Sequence, residues 1–380
     1  MRKIMIVGAG DLGRRVCTDL AHSDRPWAVR LVGRAQDAVQ RHVNLVRFSA
    51  LQRGCHGRVD CALTDLNDID RTAEVIADFG PDVVFLASSL QSWWVITTLP
   101  VQQFQRLYAA NFGPWLPMHL VPVHKAMQAI RTAHSQAIVV NAAYPDAVHP
   151  VLAGVGLAPH VGIGNIANNV PALRYSAGEI LGIAPAEVDI RVVAHHYVSH
   201  RLSRTNDINP SQLRIAILAD GRDVMPDVGV IPLLKPLTRE YRRTGGLAGQ
   251  AMTAASAISV LVPLLEQREA LVHAPGPLGL PGGYPVVVGS GPIRLALPPD
   301  TTNEEAVIVN QSGQVDDGIC EIGDDGSVLF RQSTMDVMRQ ELGYYCVKMP
   351  LSEAEDRARE LGARFARYRE KAEITGSRHA

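Results

Sequence analysis

Short apolar runs alternate with amphipathic stretches through the first 145 residues. Residues 4–7, Ile-Met-Ile-Val, have the β-branched content of a buried strand, and Gly8 ends the run. Residues 14–21 can coil into a helix, and residues 29–32 and 59–63 predict two further strands. Across 69–79, Ile69, Ala73, Ile76 and Ala77 fall on one helical face. The turn Phe79-Gly80-Pro81-Asp82 leads from there into an apolar run at 83–87. Residues 101–131 predict a helix that Pro114, Pro117 and Pro122 must start, kink or divide, and 138–140 predict a strand. Repeated strand–helix units of this size imply a parallel sheet with helices on both faces.

The rhythm changes from Tyr144 onward. Residues 165–182 predict a helix with Ile166, Val170, Leu173, Ala177, Ile180 and Leu181 on one side. Strands are expected at 188–193 and 213–218, and a long apolar helix at 247–272, bent at Pro263. Residues 284–289 and 293–297 read as a strand pair, and Asp324-Asp325-Gly326 as a hairpin turn between 319–323 and 327–330. Ser352 and Glu355 form a capping-box pattern for a tail helix. Its seam of Leu351, Ala354, Ala358, Leu361, Phe365, Tyr368 and Ala372 fits a surface helix docked on its own domain. The expectation is an α/β protein with a nucleotide-type domain at 1–145, an α+β domain at 146–345 and a helical extension at 346–380.

Charge narrows the partners. The 380 residues carry 37 Lys+Arg against 38 Asp+Glu with no block of like sign, so neither nucleic acid nor an acidic membrane surface is expected as a partner. No apolar run reaches the ~20 residues of a membrane helix, and the opening MRKIMIVGAG meets glycine too early for a signal peptide. The cysteines (Cys17, Cys55, Cys61, Cys320, Cys346) form no CxxC pair, which fits reduced thiols in the cytoplasm.

Gly8-Ala9-Gly10-Asp11-Leu12-Gly13 follows the first strand and opens a helix. Gly8 permits a tight turn, Gly10 lets a pyrophosphate approach the backbone, and Gly13 lets helix and strand pack closely. The phosphates would then rest on the amides of the helix N-terminus, the arrangement of a Rossmann domain. At the end of the second strand, where NAD users place a ribose-binding carboxylate, the chain has Gly33-Arg34. A guanidinium there favours the 2′-phosphate of NADP, with NAD still possible.

Eight of the 13 histidines lie between His119 and His200. Read as a strand, 192–200 puts His196, Val198 and His200 on one face and His195 on the other. No HExxH motif, cysteine cluster or carboxylate-rich helix accompanies them, so no metal is assigned, although a paired-histidine site stays open. An imidazole near pKa 6.5 suits the proton exchange that accompanies hydride transfer.

Residues 159–204, "PHVGIGNIANNVPALRYSAGEILGIAPAEVDIRVVAHHYVSHRLSR", resemble the segment shared by lactate/malate dehydrogenases and NAD-dependent family 4 glycoside hydrolases. The likeness extends over roughly 3–310, through Asn141 in "VVNAAYPDAV", Asn111 before the next helix, and the long helix followed by "GGYPVVVG". It implies that His196 is the acid/base, that Asn169 stands where the histidine's aspartate partner belongs, and that Asn141 and Asn111 line nicotinamide and substrate. It also implies a homo-oligomer. Ala172 falls where a carboxylate-binding arginine belongs, and "SSLQSWWVITT" at 88–98 has no arginine to polarise a carbonyl. An ordinary 2-hydroxy acid would lack its clamp.

The reading is therefore an NADP-dependent oxidoreductase acting on a hydroxyl, ketone or imine of a small polar substrate. Gly8, Gly10, Asp11, Leu12, Gly13, Arg34, Ser88, Asn111 and Asn141 would hold the cofactor. His195, Arg174 and Arg201 would contact the substrate, and Trp93 and Trp94 would form an apolar lid. With an amide rather than a carboxylate beside it, His196 should stay neutral to lower pH than in the enzymes it resembles. Two alternatives remain: redox-assisted elimination as in the glycosidases, with Tyr241 as base, and a nucleotide-binding protein without catalysis.

Overall fold

The computed structural model describes residues 1–205 and 207–377. Strands β1 (Lys3–Val7), β2 (Ala28–Gly33), β3 (Arg58–Leu63), β4 (Val83–Leu86), β5 (Ile138–Asn141) and β6 (Val161–Gly162) form one parallel sheet in the order β3-β2-β1-β4-β5-β6. The strand order reverses between β1 and β4, which in such sheets opens a crevice at the carboxyl ends. The last strand comes from beyond residue 145.

Alternation along β1 sorts the two faces. Ile4 and Ile6 are buried with α1 (Asp11–Ala21) and α2 (Gln36–Gln52), whereas Met5 and Val7 face the core that holds α3 (Ile69–Phe79). The sequence reading missed α2, whose buried stripe is Val39, Val43, Val46 and Ala50. The helix expected at 101–131 is divided into α4 (Val101–Tyr108) and α5 (Leu116–Thr132). Asn111 at φ 56° and a short 3-10 turn at Gly113–Trp115 separate them, in line with Pro114 acting as a divider. Helix α6 (Pro145–Ala153) follows β5.

The second half begins with α7 (Val170–Leu181), β7 (Asp189–Val193) and α8 (His196–Leu202). Strand β8 (Arg214–Ala219) pairs antiparallel with β7 and with β9 (Arg222–Asp223), and α9 (Met225–Val228) and α10 (Val230–Leu234) follow. Helix α11 (Gln250–Glu266) ends at Glu266 rather than 272, and packs on α1 through the core that also holds Ile4 and Ile6. Strands β10 (Ala270–Pro275), β11 (Gly283–Val288) and β12 (Arg294–Leu295) make an antiparallel sheet.

Helix α12 (Asn303–Asp316), also missed, starts on a full capping box between Thr302 and Glu305. The expected hairpin is present as β13 (Ile319–Ile322) and β14 (Val328–Phe330). After it come α13 (Gln332–Leu342), β15 (Lys348–Met349) and α14 (Ala354–Ser377). The tail helix buries Ala354, Ala358, Leu361 and Phe365, and docks on α5 of the first half, where Phe365 meets Trp115 edge-on at 5.3 Å. The chain thus returns to its nucleotide-type half and extends the core that Met5 and Val7 join.

Candidate functional site

At the carboxyl end of β1 the glycine turn is forced by contact. A Cβ on Gly13 would stand 1.9 Å from the Gly8 carbonyl oxygen, so α1 could not lie this close to the turn. Gly10 differs: its backbone is ordinary (φ −75°) and a Cβ there would meet nothing within 4 Å. The fold does not require glycine at that position. Gly10 is the N-cap of α1, no side chain caps it, and Asp11 turns to its own helix to pair with Arg15 at 2.7 Å. Gly10, Asp11 and Leu12 line a cleft of about 240 Å³, together with Ser88 and Ser89 from the end of β4. The Ser88 hydroxyl donates to the Val7 carbonyl at 2.9 Å.

The opposite wall carries His196. Its segment is a helix start, not the strand expected for 192–200: β7 stops at Val193, and His195 caps α8 by accepting from the Tyr197 N–H at 3.2 Å. His196 and His200 still share a face, now one helical turn apart, with ring centroids 4.7 Å from each other. His196 Nδ1 lies 3.1 Å from a carboxylate oxygen of Asp317, which follows α12. Two more donors converge on that carboxylate, the Tyr144 hydroxyl at 2.7 Å and the Phe112 N–H at 3.2 Å. The backbone N–H of His196 is held by Asp146 at 2.8 Å. With Nδ1 committed to Asp317, Nε2 is the nitrogen left for a ligand in the cleft.

Burial opposes charge on His196, but the Asp317 carboxylate and its hydrogen bond outweigh that and hold the imidazole's pKa above its ordinary value. Asp317 is also pushed toward neutrality by burial, yet the attraction of His196 leaves it below the usual carboxylate range. The expectation of an amide partner that leaves the histidine neutral to lower pH than in the resembling enzymes is therefore corrected: the partner is a carboxylate. His200 behaves oppositely, since burial and then the charge of His196 drive it well below the ordinary value.

Two cations complete the cleft. Arg243 donates to the Asn168 carbonyl and to the Asn169 side-chain oxygen, the latter at 3.0 Å, and burial followed by Arg204 lowers its pKa. Arg204 lies over the Tyr108 ring and donates to its hydroxyl at 3.2 Å. Neither has an ion-pair partner among the described residues, and both line the cleft. Trp93 and Trp94, half-buried in a 3-10 turn at Trp93–Thr98, also line it, with Trp93 edge-on to His200 at 5.8 Å.

The same architecture recurs among solved structures. A lactate dehydrogenase from Cryptosporidium parvum, solved with lactic acid and nicotinamide adenine dinucleotide, matches with a TM-score of 0.56 at 17% identity, over 83% of this chain and 98% of that one. This is the lactate/malate dehydrogenase fold. A malate dehydrogenase from the same organism matches with a TM-score of 0.56 at 15% identity, over 83% of this chain and 96% of its own. Malate dehydrogenase from Plasmodium falciparum gives 0.54 at 12%, over 89% and 100%. No protein-family model matches the sequence, and no curated protein matches it.

On this dehydrogenase fold several expected contacts fall elsewhere. Asn169 does not orient His196; its amide donates to the Ser199 hydroxyl at 2.8 Å and to the Ser199 carbonyl at 3.0 Å, bracing α8. Asn141 is fully buried, tied to both sides of the Ala143 backbone and to His149, so it shapes the loop after β5 without lining the cleft. Asn111 donates to the Asp316 carbonyl at 2.9 Å, which anchors the end of α12 beside Asp317. His195 is sealed behind His196, Arg201 pairs with Asp207 at 3.0 Å, and neither these nor Arg174 line the cleft. Tyr241 also lies off the cleft and packs on Tyr175, which leaves elimination without its base. Arg34 is exposed, 3.8 Å from Asp65, outside the cleft's lining. Asp317 and the pair Arg204–Arg243 are what the sequence reading missed. Only the Thr302–Glu305 cap hinted at the helix that delivers Asp317.

Proposed function

We propose that this chain is a nicotinamide-dependent oxidoreductase that acts on a hydroxyl or carbonyl carbon of a small anionic substrate. One observation carries the reading: a single cleft joins the uncapped end of α1 at Gly10–Leu12 to an imidazole held by a buried carboxylate. The residues present fit a dinucleotide, because Gly10 leaves open the space that any side chain would fill. Gly10, Asp11 and Leu12 would hold its pyrophosphate by their backbone, beside Ser88. When bound, the nicotinamide supplies or accepts a hydride.

His196 would exchange the substrate's hydroxyl proton through Nε2, while Asp317 fixes the ring's tautomer and stabilises its charged form. Arg204 and Arg243, facing each other's charge without a carboxylate between them, favour an anionic substituent on the substrate. These arginines stand in for the clamp whose absence at Ala172 argued against an acid substrate. The tryptophans would shield the reacting centre from water.

The finer choice is NADP. Arg34 follows β2 and reaches toward Asp65 only weakly, so a 2′-phosphate could capture it. Calorimetric titration tests both levels. NADPH should bind, and Arg34→Ala should weaken it about tenfold while shifting NADH less than about twofold. Equal weakening of the two nucleotides removes the phosphate contact; no heat with either removes the proposed function.

A further inference from the structure

We infer that His119 is the residue that polarises the substrate's reacting oxygen, acting as an uncharged Nε2–H donor in place of the arginine that the loop at 88–98 lacks. The inference rests on reading the cleft as a hydride-transfer site. His119 sits in the first turn of α5, only 5% exposed, and its ring lines the cleft. Phe112 packs against both imidazoles: its ring centroid is 5.1 Å from that of His119 and 4.9 Å from that of His196. Tyr144 meets both edge-on, at 6.2 Å from His119 and 5.6 Å from His196. The Tyr144 hydroxyl is already spent on Asp317.

The two rings are differently equipped. His196 has a carboxylate behind it, whereas His119 Nδ1 is sealed from solvent and has no hydrogen-bond partner among the described residues. A buried N–H without an acceptor is rarer and costlier than a bare acceptor, so the proton belongs on Nε2. Burial, and then the charge of His196, hold the His119 pKa down to about 3, which keeps its imidazole neutral near pH 7. A neutral donor placed at the oxygen can stabilise growing negative charge without surrendering its own proton.

Roles then divide cleanly. In the reductive direction the reduced nicotinamide, when bound, would supply the hydride for the new C–H bond. The carbonyl π pair moves to oxygen, and His196 Nε2 gives that oxygen a proton and becomes neutral. His119 Nε2–H holds the same oxygen throughout and is unchanged at the end. The reverse direction returns the proton to His196.

The test combines histidine nitrogen NMR with binding of oxamate, an unreactive carbonyl-bearing anion, to the NADH-loaded protein. The His119 signals, assigned by their loss in His119→Gln, should report a neutral Nε2–H tautomer across the range about pH 5–8 and should move when oxamate is added. His119→Phe fills the space without a donor, and should bind NADH as the wild type does but oxamate at least about tenfold more weakly. His119→Gln, which keeps a donor, should stay within about threefold. A ring that titrates in that range, a proton on Nδ1, equal oxamate binding in His119→Phe, or no oxamate binding by NADH-loaded wild type each overturns the inference. Failure of the wild type to bind NADH at all instead strikes the proposed function.

Discussion

Asp317→Asn should lower turnover about a hundred- to ten-thousandfold while nucleotide affinity changes little, because the carboxylate touches His196 and not the glycine turn. Three donors converge on the native carboxylate: His196, Tyr144 and the Phe112 N–H. An amide accepts through one oxygen only and would aim its own N–H at one of those donors. With the charge gone, burial and the repulsion of Arg204 face only the attraction of Asp146, and the pKa of His196 should fall from its raised position. The pH at which reductive turnover declines should therefore move downward in the variant. An unchanged rate and pH profile would show that the imidazole works without this partner.

The stability change has a definite pH window. His196 has a raised pKa, so its contribution is complete below its ordinary value and is lost as pH rises through the folded value. Asp317 has a depressed pKa, so its contribution is present above the ordinary carboxylate value and is lost as pH falls through the folded one. The melting difference between wild type and Asp317→Asn should be widest between about pH 4 and pH 6.5 and should narrow above that range. Breaking a buried pair of this kind costs roughly 3–5 kcal/mol.

Paired glycine substitutions should separate fold from ligand. Gly13→Ala forces a Cβ into the Gly8 carbonyl and should both lower the melting temperature and abolish nucleotide binding. Overpacking of this kind costs about 1–3 kcal/mol or more. Gly10→Ala meets open space, and should leave melting unchanged yet weaken nucleotide binding about tenfold or more. Normal nucleotide affinity in Gly10→Ala would mean that nothing approaches the backbone there.

The legible parts of the sequence were local ones. Strand β1, the glycine turn and α1 are consecutive, so spacing and glycine position alone locate them. His196 could be singled out because imidazole is chemically distinctive, but its backbone was misread. The seven residues His-Tyr-Val-Ser-His-Arg-Leu carry too little periodicity to tell a strand from the short helix α8. Asp317 was illegible for another reason. It meets His196 across 121 residues of chain, and an aspartate after an unrecognised helix has no local mark. Asn169, ten residues after the start of the 159–204 segment, takes that role by register alone, whereas tertiary packing turns it to Ser199. Arg204 and Arg243 were likewise brought together by folding, not by spacing.

A crystal structure of the protein with NADPH tests the central claim most directly. The pyrophosphate should rest on the backbone of Gly10–Leu12, and the nicotinamide ring should stand in the cleft beside His196 Nε2, with Asp317 still on Nδ1. A nucleotide bound away from the glycine turn, or one whose nicotinamide points out of the cleft, would contradict it.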